Sequence, residues 1–351
     1  MPWAWRRRGV LLTLAAILFF VPLAAGAVIH VPYYLISPGE ARGVAELIKV
    51  KGDQAQVYEP KGKILFTTVS LAGNVNVYQA LAGWLNDDVQ VIDEQQITGG
   101  ASRQQVRQLN IQAMVDSKLT ATKVALERLG YRVAVSGDGA LVTLVSPQTP
   151  ADGHLQVGDV ITAVDGEAVT LHDQVVSKVR QHKPGDTIAI GFNRGGADKT
   201  VELKSIADPE GHARVGVVLQ TNNLKYDFPV DVSIETGLVG GPSAGLAFTL
   251  ALIDDLTEGE LTGGQNVAVT GTIDAAGNVG QVGGVAQKTV TARKAGAIAF
   301  LVPPEEEKDA KKFAGNMEII PVKTLGDALA ALHRLGGSEV AAPTAATAPH
   351  S

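Results

Sequence analysis

The chain has 351 residues and no cysteine. That absence excludes disulfides, cysteine-ligated zinc, iron–sulfur clusters and a thiol nucleophile together. Charge is also sparse. Charged residues make up 19% against 45% hydrophobic, a balance that excludes an intrinsically disordered chain. Basic residues are outnumbered 36 to 30 and the formal net charge is −6, so the chain lacks the excess of Lys and Arg that a general nucleic-acid binder needs. It has no G-x-x-x-x-G-K-[ST] nucleotide loop, because Gln287, not glycine, precedes Lys288-Thr289. There is no fixed-period repeat, and no metal or other cofactor is expected. What is present is length enough for two or three domains and 39 glycines.

The charge is unevenly spread. Arg6, Arg7 and Arg8 are the only charged residues among the first 30, and Gly9 to Ile29 follow as 21 residues without a charge. As a helix that run would reach about 31 Å, close to the thickness of a bilayer core. We expect residues 1–8 to be a cytoplasmic tip and 9–30 a single transmembrane anchor, the arginines keeping the N-terminus inside and the rest of the chain outside. The small residues Ala24 to Ala27 leave a second reading, a cleaved signal peptide and a secreted body. Both readings export everything beyond residue 30.

Residues 31–125 read as a β-rich region ending in a helix. Lys63–Leu71 is the strand candidate by its β-branched content, and 103–129 has helical apolar spacing that stops at Gly130. From Tyr131 the pattern changes to short strands and turns, with one amphipathic helix over Leu171–His182 and a closing hairpin to about 206. A larger unit, 207–335, follows. The small and polar tail 336–351 is expected to be disordered. The fold class expected is a multidomain α+β protein.

The segment 126–206 contains GALVTLV, a Ser-Pro turn, the L-x-x-GDVI run at 155–161 and a Val-Asp-Gly turn at 164–166. As a set these resemble a bacterial PDZ domain. The resemblance implies that an extended peptide adds beside a sheet edge flanked by a helix, and it nominates Gly139, Ala140, Leu141 and Val142 as contacts. A small β-domain acting only as a spacer would carry the same pattern.

Chemistry concentrates further on. Gly240-Gly241-Pro242-Ser243-Ala244-Gly245 precedes the apolar run Leu246–Ile253, which describes a tight entry into a buried helix. A serine there sits among free backbone N–H groups able to hold an oxyanion; alternatively it only caps the helix. None of the seven histidines lies within 25 residues of Ser243, so a lysine with a depressed pKa is the other base to consider. Lys288, on a helix over Val285–Ala295, shares a stripe with Val285, Ala292 and Ala295, where lysine is unusual unless it snorkels to water.

Three segments taken together, GPSAGLAFTLALID at 241–254, VAVTGTIDAAGNVGQVGGVAQKTVTARKAGA at 267–297 and FLVPPEE at 300–306, resemble the proteolytic domain of the Lon family. The resemblance implies a Ser-Lys dyad. Ser243 would be the nucleophile, Lys288 the base and Thr270 the hydroxyl that orients the lysine, with Gly241, Pro242 and Ala244 beside the oxyanion and substrate backbone. Many Lon proteins have an acid three positions before the serine, where this chain has Gly240. Lacking a nucleotide loop, the chain is similar to the membrane-anchored PDZ–Lon proteins of bacteria. That implies an ATP-independent serine endopeptidase acting on unfolded or C-terminally exposed polypeptides, bound to the bilayer and open to homo-oligomer formation. A scaffold protein with an inert Lon-like domain is the competing class, and it would be expected to lack one of the dyad residues.

Overall fold

Long-range strand pairing, more than chain order, organises the molecule. The computed structural model describes residues 24–51, 55–99, 101–237 and 239–340, together with Leu14, Leu18 and Phe20. The chain divides into two units, one from residues 1–132 and 230–351, the other from 133–229.

Before the division come β1 (Tyr33–Gly43), β2 (Ile48–Lys51), β3 (Lys63–Ala72), α1 (Val77–Trp84), β4 (Gln90–Asp93) and α2 (Arg103–Arg128). The second unit holds β5 (Ala140–Val145), β6 (Val160–Val164), α3 (His172–Arg180), β7 (Thr187–Arg194), β8 (Ala197–Lys204) and β9 (Val217–Thr221). The chain then returns with β10 (Asp231–Ile234), α4 (Gly245–Asp255), β11 (Asn266–Val269) and α5 (Val285–Lys294). Last come β12 (Ala299–Val302), α6 (Glu307–Phe313), β13 (Glu318–Pro321) and α7 (Leu325–Arg334).

The first unit is built on a mixed six-stranded sheet in the order β13-β12-β11-β3-β1-β4. β11 runs parallel to both β3 and β12, whereas β1 is antiparallel to β3 and β4. Side chains alternate across this sheet as the pleat requires. Ile64, Phe66, Val267, Val269 and Leu301 face a core shared with α4 and α2, where Phe66 meets Phe248 at 6.0 Å between ring centroids. Leu65, Ala268, Phe300 and Val302 face the opposite core with Val285 and Ala292 of α5. α4 is buried along its whole length, as its uncharged apolar start foretold. α2 starts on a Ser102–Gln105 capping box and is followed by Gly130 at φ +87°, the predicted stop.

The two compact units of the structure cut across the regions expected from the sequence. Residues 31–125 are no separate region, because β3 pairs with β11 and α2 packs on α4. The second unit extends past 206 to 229, since β9 completes its sheet beside β5. That sheet runs β8-β7-β6-β5-β9 over a core of Val142, Ile161, Ile188, Ile190 and Phe192, with Val175 and Val179 of α3. The predicted tail is held through residue 340. Ser338 donates from its backbone to Glu260 O at 2.8 Å, and Val340 O accepts from Arg128 at 3.0 Å. Residues 341–351 lie outside the described residues. So do the tip 1–8 and most of the expected anchor, of which 24–28 are helical. Among the described residues no helix is long and apolar enough to cross a membrane.

Two adjacent carboxyls, Asp254 and Asp255, are buried at the end of α4, where Asp254 accepts the Leu261 N–H at 2.9 Å. Burial is the main cause that pushes Asp254 up to about 6 and Asp255 up to about 7, and the charge of Asp254 adds to the rise at Asp255. At pH 5 the folded Asp255 keeps its proton while the unfolded one has lost it; above pH 7 both states are ionised and the burial penalty is complete. Stability therefore falls as pH rises from the ordinary carboxylate range through about 7. Asp255→Asn should stabilise the protein by about 2–3 kcal/mol more at pH 8 than at pH 5. Thermal melts at the two pH values check this, and an equal gain at both would contradict it.

Candidate active site

Ser243 lies in the turn that feeds α4, half-buried between exposed Pro242 and buried Ala244. The loop is strapped to α2 on one side. Gly241 N–H donates to Asn110 O at 2.8 Å, and the Ser117 hydroxyl donates to Pro242 O at 3.0 Å. On the other side it is tied to the end of β11, where the Ser243 carbonyl accepts Gly271 N–H at 3.0 Å and the Thr270 hydroxyl at 3.2 Å. Gly240, three positions before the serine, packs closely on α2. A Cβ there would sit 3.1 Å from Asn110 Cβ and 3.3 Å from its carbonyl carbon, so α2 leaves little room for a side chain.

Lys288 is 3% exposed and reaches this loop from α5. Its Nζ lies 3.1 Å from Thr270 Oγ1. The polarity of that contact is determined. Thr270 spends its one proton on the Ser243 carbonyl, so its oxygen can only accept from the lysine. Burial lowers the ammonium to about 8, opposed by the carboxylate of Glu306. The structure thus joins Lys288, Thr270 and Ser243 in one chain of contacts that runs through the serine's backbone. Among the described residues the N–H groups of Ser243 and Ala244 donate to no other backbone carbonyl, and both lie at the entry to α4.

The expected apolar stripe on α5 turns out to be wider than one face. Val285, Gln287, Thr289, Val290, Thr291 and Ala292 are buried beside Lys288, because β1 and β3 cover the helix on one side and α6 on another. Only the last turn, with Arg293, Lys294 and Ala295, is exposed. Snorkelling to water is thereby denied to the lysine.

Glu306 was not singled out from the sequence, although it falls inside the FLVPPEE segment. Its Oε1 accepts Val282 N–H at 2.6 Å, and its Oε2 is buried without a hydrogen-bond partner. Burial raises its pKa, against the Val282 bond and the Lys288 charge. Asn110 and Ser117 were missed as well. They act through a backbone carbonyl and a short hydroxyl on a helix more than 120 residues before the serine, and no local motif marks them.

The nominated PDZ contacts are not at a free edge. Ala140 to Val142 lie in β5, which pairs with β6 on one side and β9 on the other, and Gly139 O accepts Asn222 N–H. Addition of a peptide strand there is blocked. The unpaired edge beside a helix belongs to β9, where Thr221 Oγ1 accepts His172 N–H at 3.1 Å at the start of α3.

Two family profiles match the chain, a PDZ domain over residues 127–205 and the Lon protease (S16) C-terminal proteolytic domain over 219–334. Lon protease 2 of Bacillus subtilis is 31% identical over 137 residues, 38% of this chain and 24% of that protein. An archaeal Lon protease of Methanothermobacter thermautotrophicus is 36% identical over 112 residues, 31% of this chain and 17% of that protein. The chain spans about a quarter or less of the curated relatives it matches. A solved PDZ domain of an SdrC-like protein from Listeria monocytogenes is 30% identical over 23% of this chain and 87% of that one, with a TM-score of 0.23. On the two profile matches, residues 219–334 are similar to the Lon (S16) proteolytic domain and residues 127–205 to a PDZ domain.

Proposed function

We propose that the protein is an ATP-independent serine endopeptidase with a Ser243–Lys288 dyad, held at a membrane by residues 9–30 and acting on exported or membrane-associated polypeptides. The observation that carries the reading is the buried Lys288 amine, lowered to about 8 and bound to Thr270, whose hydroxyl is bonded to Ser243 in turn. With a pKa near 8, roughly a tenth of the lysine is neutral at pH 7, against well under a thousandth for an ordinary lysine.

In the mechanism, neutral Lys288 Nζ accepts the Ser243 Oγ proton as Oγ bonds to the scissile carbonyl carbon. The carbonyl oxygen becomes an oxyanion held by the N–H groups of Ser243 and Ala244 at the helix entry. The Lys288 ammonium then gives its proton to the leaving amine as the C–N bond breaks. Water, giving a proton to the same amine, attacks the acyl carbon; the bond from that carbon to Ser243 Oγ then breaks, the Lys288 ammonium returns the proton to Oγ, and the acid leaves. Thr270 positions Lys288, because an N–H committed to Thr270 leaves the lone pair to turn toward Oγ. In the PDZ unit we assign peptide capture to the free edge of β9 alongside α3, where an added strand would gain backbone hydrogen bonds. The uncharged run Gly9–Ile29 is what favours the anchor.

Ser243→Ala and Lys288→Ala should each lower casein cleavage without ATP by at least about a thousandfold. Cleavage by either variant at the wild-type rate would refute the dyad. The kcat/KM profile should rise with pH through about 8 as Lys288 loses its proton. Glu306→Gln keeps an oxygen to accept Val282 N–H but removes the negative charge that favours the ammonium, so the rising limb should move to lower pH. An unmoved limb would mean that Glu306 serves the loop alone. Thr270→Val should reduce kcat by about 10- to 100-fold with KM nearly unchanged.

A further inference from the structure

Helix α1 is inside out. Its buried residues are the two small ones, Ala80 and Gly83. Its large apolar side chains point to solvent: Leu81 is 49% exposed, Trp84 60% and the adjoining Leu85 80%. Gly83 makes this arrangement possible, since a Cβ there would meet Leu35 Cδ2 at 2.8 Å and Val91 Cγ2 at 3.0 Å. The helix therefore lies flat on β1 and β4 through its smallest residues and offers its largest ones outward. From Ile64 to Asn86 there is no charged residue. The helix is nonetheless well formed, with a reciprocal Asn76–Gln79 capping box at its start.

This face is continuous with the end of the uncharged N-terminal run. Asn76, the cap of α1, donates from Nδ2 to Ala27 O at 3.2 Å and forms a bridge with His30, and Val31 N–H donates to Val75 O at 2.9 Å. Val28 and Ile29, at the end of the run, are 72% and 55% exposed. Trp84 packs edge-on against Tyr33 with ring centroids 5.6 Å apart, which keeps an aromatic group at the boundary of the patch. Aromatic rings with one polar end are the side chains that settle at the headgroup level of a bilayer. An apolar face of this kind, left in water, would be an aggregation hazard.

We propose that α1 is an interfacial helix that lies on the bilayer surface, its Leu81–Trp84–Leu85 face among the lipid headgroups and upper acyl chains. The proposal rests on the reading of residues 9–30 as an anchor, because that segment delivers α1 to the membrane. Charge sets the depth. Asp87 follows immediately and is exposed, and Asp88 is paired with Lys294 at 3.2 Å, so the helix cannot sink past its C-terminal end. The β4 edge of the sheet then faces the lipid while β13, at the opposite edge, faces away.

The chain has no cysteine, so Leu81→Cys, Leu85→Cys and Lys323→Cys each create a single labelling site in the full chain. Lys323 is exposed and follows β13, at the far edge of the sheet. Each variant would carry an NBD fluorophore and be reconstituted in phosphatidylcholine–phosphatidylglycerol vesicles. Quenching is then compared between lipid spin-labelled near the headgroup and aqueous iodide. We expect the labels at 81 and 85 to lose most of their emission to the lipid quencher and little to iodide, and the label at 323 to do the reverse. If the protein floats with the vesicles but labels 81 and 85 are quenched by iodide, α1 is off the membrane and the proposal fails while the anchor stands. Protection from both quenchers would mean that a protein surface covers α1, which also overturns it. Failure to float with vesicles would overturn the anchor and the proposal together.

Discussion

A lysine side chain is buried beneath a sheet with one hydroxyl oxygen to receive it, and the site's geometry follows from that constraint. Lys288 cannot snorkel to bulk solvent, because α5 is covered on all but its last turn. Its ammonium form is therefore penalised, and the Thr270 oxygen, together with the more distant Glu306 carboxyl, keeps the penalty moderate. Thr270 follows directly from the end of β11, a strand held in parallel on both sides by β3 and β12. The same stretch of backbone fixes Ser243 through two donors to its carbonyl. A shift of β11 would thus move the partner of Lys288 and loosen the loop of Ser243 at once.

Much of this could be read in advance, for reasons that differ residue by residue. Ser243 stood out because glycine and proline crowd the entry to an uncharged helix, and Lys288 because it interrupts an apolar pattern. α2 ended at Gly130 because its positive φ costs glycine little. Other features were hidden by their physics. The parallel pairing of β3 with β11 joins residues about two hundred positions apart, and nothing local in KILFTTVSL announces that partner. β9 completes the PDZ sheet from beyond the expected boundary, which is why the nominated peptide edge at Ala140–Val142 is already occupied. Glu306 holds Val282 through one oxygen and leaves the other unpaired, an electrostatic role that no spacing rule marks.

The two units use their edges in opposite ways. In the PDZ unit β9 is, among the described residues, the last strand of its sheet, beside the start of α3. In the first unit the edge strand β4 is flanked by α1, whose outward face is greasy in place of polar.

The insertion of a contiguous PDZ unit into a discontinuous protease unit has a consequence for the order of events during synthesis. β3 is made early, yet its neighbour β11 follows about 200 residues later, which at ribosomal speeds of roughly 5–20 residues per second is a wait of about 10–40 s. Residues 133–229 have all their sheet partners within themselves and can fold during that interval. The first unit must stay open, with the apolar face of β3 uncovered, until β11 has been made. Ser243 is polymerised before Thr270 and Lys288, so the proposed nucleophile precedes its proposed base in the growing chain. The proposed pair of side chains can therefore meet only after the stretch that carries Lys288, 45 residues behind Ser243, has followed it out.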